Sequence, residues 1–225
     1  MRYPGGKGKC YQRLINLMPP HQTYIESHLG GGAVMRHKRP ARTNIGIDID
    51  DAVIERWRRE HPSCCSLVHA DAVSVLESFP FTGGELIYAD PPYLPNTRRR
   101  TKVYRHEYSE ADHDRLISVL LALPCMVMLS GYASALYRSR LHDWRLITFS
   151  AKTHHGVREE CVWLNFEAPA SLHDGLHLGA SFRDRQTIRR RLARLADRFE
   201  CMEPVERNHA LQVLNERYGL SQVVS

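Results

Sequence analysis

Residues 86–94 read Leu-Ile-Tyr-Ala-Asp90-Pro91-Pro92-Tyr93-Leu, an apolar strand that stops at a carboxylate, two prolines and an aromatic. That set suits chemistry on a planar amino group. A conjugated exocyclic NH2 is a poor nucleophile because its lone pair is delocalised into the ring, so an enzyme must accept hydrogen bonds from both N–H groups and localise the pair. Asp90 offers a charged acceptor. Each proline fixes its own φ and carries no N–H, so Pro91 and Pro92 hold an extended turn that can present carbonyls, with the Pro91 C=O as the second acceptor. Tyr93 supplies a flat face on which a base rotated out of a duplex can stack. The same four residues would also serve a plain strand end with a proline turn, so the neighbouring segments decide between the two.

Three further strand-like runs end in polar residues. Thr23-Tyr-Ile-Glu26-Ser-His28 leads into Leu29-Gly30-Gly31-Gly32-Ala33, a glycine turn through which backbone can approach a ligand closely. Asn44-Ile-Gly-Ile-Asp48 ends in an acid 18 residues beyond Gly30, the spacing of the ribose-hydroxyl ligand in nucleoside-binding α/β folds. Cys65-Ser-Leu-Val-His-Ala-Asp71 ends in an acid that could reach an adenine amino group. Consecutive strands with polar carboxyl ends describe one ligand crevice.

On these residues the chain resembles the Dam-like DNA adenine N6-methyltransferases, closest in layout to the short forms often carried by phages and prophages. Arg2-Tyr3-Pro4-Gly5-Gly6-Lys7 resembles the opening motif of that family, Glu26 to Ala33 its S-adenosylmethionine loop, Asp48 its ribose-binding acid and Asp90 to Tyr93 its catalytic motif. Leu129-Ser130-Gly131-Tyr132 and Arg158-Glu159-Glu160-Cys-Val-Trp163-Leu-Asn165 also look like family segments, so the match covers roughly residues 1–166. Ser27 and His28 stand where the family commonly has proline and phenylalanine. The resemblance implies a cofactor site built from Tyr3, Gly5, Gly6, Lys7, Glu26, Gly30, Gly31, Gly32, Asp48, Asp71 and Asp90. It implies catalysis by Asp90, Pro91, Pro92 and Tyr93, with S-adenosylmethionine as cofactor, double-stranded DNA as partner and no metal.

Helical stretches are expected at 8–18, 31–38, 50–60, 72–78, 110–123 and 133–141, and strands at 23–28, 44–48, 65–69, 85–89, 125–130, 144–150 and 160–166. This βαβ rhythm predicts a doubly wound α/β fold: a mostly parallel, seven-stranded, Rossmann-like sheet. Its last two strands, joined across 151–158 without a helix, should form an antiparallel hairpin. The methyltransferase domain is expected to span 1–167, with 168–225 as a helical extension.

A net charge of +6 favours a polyanionic partner. No stretch approaches the roughly 18 apolar residues of a membrane span, and the opening motif starts so near Met1 that a signal peptide has no room, so a cytoplasmic protein of a bacterial cell or phage-infected host is expected, away from membranes. The six cysteines include no Cys-x-x-Cys pair, which argues against zinc. Cys125 follows Pro124, as the nucleophile of cytosine C5-methyltransferases does, but it opens the apolar run Met126-Val-Met-Leu and reads better as a buried strand thiol.

Two segments lie outside this logic. The loop 94–108 carries Arg98, Arg99, Arg100, Lys102 and Arg105 around Tyr104, and is expected to contact phosphates and a stacked base. In 181–220, Ile188, Leu192, Leu195 and Phe199 form a helical apolar stripe among seven arginines. Pro204 starts a second helix and Gly219 stops it. This hairpin should dock on the core or on a second subunit as a homodimer, and its arginine face could grip DNA. Asp71 and Asp90 are only 19 residues apart, which leaves no space for an inserted recognition domain and predicts a short or relaxed target. The competing readings are a cytosine N4- or RNA amino-group methyltransferase and a DNA-binding protein with a vestigial cofactor pocket. A nicotinamide oxidoreductase would need a Gly-x-Gly-x-x-Gly turn that Gly30-Gly31-Gly32-Ala33 does not supply.

Overall fold

The computed structural model describes residues 6–8, 10–98, 103–153 and 156–219, with backbone alone at 151–153 and 156–158. Seven strands, β1 (Thr23–Glu26), β2 (Thr43–Asp48), β3 (Ser66–His69), β4 (Glu85–Ala89), β5 (Met126–Gly131), β6 (Arg145–Thr153) and β7 (Gly156–Leu164), form one sheet in the order β3-β2-β1-β4-β5-β7-β6. The first five are parallel, β7 runs antiparallel to β5, and β6 antiparallel to β7. This is the doubly wound sheet with an antiparallel last hairpin that the βαβ rhythm predicts.

Successive strand residues point to opposite faces, and both faces are covered. Tyr24, Leu86, Tyr88 and Met128 pack on one side with Leu14 and Ile15 of α1 (Tyr11–Ile15), Val34 of α2 (Ala33–His37) and Val53 and Trp57 of α3 (Asp51–Glu60). Ile25, Ile87, Ala89 and Leu129 pack on the other. Their partners are Val73 and Leu76 of α4 (Ala72–Ser78), Leu116 and Leu120 of α5 (Glu110–Ala122) and Tyr137 of α6 (Ala135–Arg140). Residues such as Leu86, Ile87 and Leu129, with no exposed surface, each stabilise the sheet by about 2 kcal/mol. Burial on both faces is why these strands read as continuous apolar runs.

β1 lies between β2 and β4, so the chain leaves it toward one edge and later returns to its other side. The carboxyl ends of β1 and β4 therefore flank a topological switch point, where such sheets open a crevice. Glu26 pairs in register with Tyr88, which sets Glu26 and Asp90 on adjacent strand ends.

The final hairpin is longer than expected. Its ladder runs to the pair Thr153↔Gly156, so most of 151–158 is strand and only 154 and 155, outside the described residues, lie between. Antiparallel strands need no more than such a short joint. Residues 168–176 stay with the sheet unit. The His173 N–H donates to Met18 O at 2.9 Å, the Arg39 N–H to Asp174 at 2.8 Å, and the His173 ring stacks on His21 at 3.8 Å. The second compact unit begins at His177 and holds α7 (Phe182–Glu200) and α8 (Pro204–Tyr218). Ser181 and Asp184 form a capping box at the start of α7, and Gly219, at φ +51°, closes α8. Neither helix buries a residue. Among the described residues no helix is long and apolar enough to cross a membrane.

Candidate active site

The turn after β1 is shaped by two glycines in the left-handed region, Gly30 at φ +45° and Gly32 at φ +50°. The Trp57 indole N–H donates to Gly30 O at 2.9 Å, and a Cβ at position 32 would lie 2.0 Å from Trp57 Cζ2. Only glycine permits both that backbone and that approach. Asp48 fastens the turn from the next strand. Its Oδ2 accepts the Gly30 N–H at 2.8 Å and its Oδ1 the Asp50 N–H at 2.9 Å, joining the β1–α2 and β2–α3 turns through one carboxylate. Burial pushes the Asp48 pKa up while these two N–H groups pull against it.

Glu26 ends β1 with 3 % of its surface exposed. It accepts bonds from the Tyr24 hydroxyl and the Met35 N–H, both at 3.0 Å, yet burial still raises its pKa to about 8. The carboxyl is therefore largely protonated at neutral pH until a cation comes near. Lys38 is held apart by Asn44, 2.7 Å from its Nζ, and sits over the Tyr24 ring at 4.2 Å.

At the end of β4, Lys7 Nζ lies 2.6 and 2.7 Å from the two oxygens of Asp90. Burial alone would push the Lys7 pKa down. The charges of Asp90 and Glu160 outweigh it, and the ammonium is held above its ordinary range. Lys7 also stands 4.8 Å from the centre of the Tyr93 ring. Tyr93 is enclosed: its hydroxyl donates to Glu160 of β7 at 2.6 Å and its ring meets Tyr132 edge-on at 4.6 Å. Burial, with Asp90 and Glu160 near, raises the Tyr93 pKa well above its usual value, so the phenol stays neutral.

Lys7, Glu26, Asp48 and Asp90 border one cleft that opens to solvent, while Tyr93 and Glu160 lie behind its lining. Gly6, Lys7, Glu26, Gly30, Gly31, Gly32, Asp48, Asp90 and Pro92 all line it, as does Ala72 at the start of α4. Pro91 is buried beside it. The opposite wall is the segment ahead of α5, with Tyr104, Arg105 and Tyr108. His28 crosses to that wall: its Nε2 lies 2.9 Å from the Tyr108 hydroxyl and its Nδ1 3.0 Å from Ser27 Oγ. Burial drops its pKa to about 3, which leaves a neutral ring with both nitrogens bonded.

Several expected site residues sit elsewhere. Asp71 does not face the cleft. Its Oδ2 caps α4, accepting from the Ser74 N–H at 3.0 Å and hydroxyl at 2.8 Å, with Arg115 3.5 Å away. An acid one residue before a helix has its own backbone donors nearby, and they take it. Arg98 is not a free phosphate contact either. It forms a two-pronged ion pair with Glu107, which also accepts the Val103 and Tyr104 N–H groups. Burial would raise the Glu107 pKa, but the Arg98 bonds and these N–H groups pull it to about 2. Arg105 is bound to Asp50 at 3.0 Å and Asp51 at 2.9 Å. Tyr104 lies under Arg98 at 5.4 Å and lines the cleft. Tyr3, Gly5, Arg99, Arg100 and Lys102 lie outside the described residues. Glu160, Ser27, His28 and Tyr108 join the site without a role that local sequence predicts; Ser27 and His28 show in the sequence only as polar residues beside the glycine turn.

No family model matches the chain, and no curated protein matches it in sequence. Among solved structures it is similar in fold to the 23S rRNA methyltransferase ErmE, at 14 % identity over 85 % of this chain and 88 % of that one, with a TM-score of 0.48. It is also similar to an rRNA methylase from Streptococcus thermophilus (8 %, 68 % and 92 %, TM-score 0.46). A third is the magnesium protoporphyrin IX methyltransferase of Synechocystis PCC 6803 with bound SAM (15 %, 68 % and 79 %, TM-score 0.44). These likenesses concern shape, and the chemistry has to be read from the site itself.

Proposed function

We propose that the protein transfers the methyl group of S-adenosylmethionine to the N6 amino group of an adenine rotated out of double-stranded DNA. One observation carries the reading: the glycine turn fastened by Asp48 and the amino-group acceptor Asp90 border the same cleft.

The lining fits the cofactor. Bare glycine backbone leaves space for close approach, and the carboxyls of Glu26, Asp48 and Asp90 suit a ligand with ribose hydroxyls, an ammonium and a positive sulfur. Asp48, with two of its lone-pair sites held by backbone, keeps two for the hydroxyls, and Glu26 ionises to meet a cation. When bound, S-adenosylmethionine supplies an electrophilic methyl group on positively charged sulfur.

The chain's own residues then handle the amino group. Asp90 accepts one N–H and the Pro91 carbonyl the other, which localises the lone pair on nitrogen and sets a negative charge where positive charge develops. Lys7 uses two lone-pair sites of Asp90 and orients the others. The proton shed from nitrogen passes to Asp90 and on to solvent. Tyr93, neutral and anchored by Glu160 with Lys7 over its ring, braces the Lys7–Asp90 pair beside the base.

The test is incubation with labelled cofactor and DNA or RNA in parallel, followed by nucleoside analysis. Label in N6-methyladenine from DNA supports the reading. Label in RNA or in cytosine replaces it with the corresponding amino-group activity, and saturable cofactor binding distinguishes either from a vestigial pocket.

A further inference from the structure

Four arginines of the sheet unit are held by carboxylates, whereas those on one face of α7 are not. In the sheet unit Arg98, Arg105, Arg115 and Arg140 are each engaged by carboxylates, from Glu107, Asp50 and Asp51, Asp71 and Glu77, and Asp114. On α7, Arg183, Arg190, Arg191, Arg194 and Arg198 are all exposed and, among the described residues, none meets a carboxylate. At about 100° per residue these five fall within one arc of about 100°, and they span about 22 Å of helix. Asp184 and Asp197 flank that arc, each about 20° beyond its edge, and Asp184 is tied to the Ser181 N–H at 3.1 Å.

Charge is concentrated on this helix. Seven arginines stand against Asp184, Asp197 and Glu200, a net of +4 on one helix of a chain whose net charge is +6. Like charges packed on one helical face repel by a few tenths of a kcal/mol per pair, a cost that an anion removes. Guanidinium forks match phosphate oxygens two at a time.

We propose that this arginine face is the docking surface for the phosphate backbone of duplex DNA. The proposal rests on the reading of DNA as the substrate. Contacts of this kind position a duplex without reading its sequence, so affinity falls steeply with salt and target choice is left to the cleft.

The test uses the full chain and a 20-base-pair adenine-containing duplex, with affinity measured against salt. Arg190→Ala/Arg194→Ala/Arg198→Ala should lower the slope of log affinity against log salt by about 3. S-adenosylmethionine affinity and the circular dichroism spectrum should not change, since alanine preserves an exposed helix. The corresponding triple lysine variant should keep the slope. An unchanged slope in the alanine variant overturns the surface even if the protein methylates DNA. A wild type that binds the duplex through this face but never methylates it overturns the proposed function and leaves the surface standing. Tighter binding to RNA of the same length, or to anionic phosphatidylserine vesicles, at equal salt overturns the choice of DNA as occupant.

Discussion

Lys7 and Asp90 form a two-pronged ion pair at the mouth of β4, with Nζ 2.6 and 2.7 Å from the two carboxylate oxygens. The side chains are 7 % and 16 % exposed, so the pair is largely out of water. Removing one partner of such a pair leaves an uncompensated charge and costs about 3 kcal/mol. Lys7→Met should therefore destabilise the protein by about that much, and the Lys7→Met/Asp90→Asn double variant should recover part of it. Urea denaturation of the four proteins gives the coupling. If the two effects add to within about 0.5 kcal/mol, the pair is not coupled.

Asp48 joins two turns, so its loss should be felt twice. Asp48→Ala should weaken S-adenosylmethionine binding by about tenfold or more, a charge-assisted bond being worth at least about 1.4 kcal/mol. It should also speed hydrogen exchange at the Gly30 and Asp50 amides, which it now holds. Calorimetry and exchange read these separately. Unchanged affinity with faster exchange would make Asp48 a fastener and not a ligand.

Gly32 tests the shape of the turn. A positive φ costs a non-glycine residue about 1–3 kcal/mol, and the added Cβ would press on Trp57 at 2.0 Å. Gly32→Ala should lower stability by at least that amount and cut cofactor affinity, read by thermal melting with and without cofactor. A variant as stable as wild type would show that the turn can take another path.

Glu26 predicts a pH dependence. Its carboxyl titrates near 4.5 in the unfolded chain and at about 8 when folded. Between those values the folded state keeps a proton that the unfolded state has lost, so stability falls as pH rises. This contribution is whole below pH about 4.5 and fades through pH about 8. His21 and His28, with pKa values lowered by burial, act in the opposite sense at the acid end, so the relevant quantity is wild type minus Glu26→Gln. That difference should decline from pH 5 to 8. Cofactor binding at pH 7 should release protons, seen as a buffer-dependent calorimetric heat that Glu26→Gln abolishes. A heat independent of buffer would mean that Glu26 does not ionise on binding.

The sheet was legible because its strands are buried on both faces and end in acids or glycines, which local pattern reveals. Glu26, Asp48 and Asp90 share a cleft because parallel strands deliver their carboxyl ends to one edge. Pairings between distant residues were not legible. Arg98 and Arg105 read as open phosphate contacts in the sequence, but Glu107, Asp50 and Asp51 hold them in the fold. Asp71 stands at a strand end like Asp48, but α4 begins one residue later and claims it as a cap. Glu160 became meaningful only when β7 was inserted beside β5 and brought it to the Tyr93 hydroxyl, 67 residues away in sequence.

The central claim is that Asp90 activates an adenine amino group in DNA. Its most direct test is the rate of labelled methyl transfer from S-adenosylmethionine to duplex DNA by wild type and Asp90→Ala, with cofactor affinity measured on both. Wild type should place label in N6-methyladenine, while Asp90→Ala should bind cofactor and turn over at least about 100-fold more slowly, the scale for losing one transition-state contact. Near-normal transfer by Asp90→Ala, or a wild type that labels only RNA or cytosine, would contradict the account.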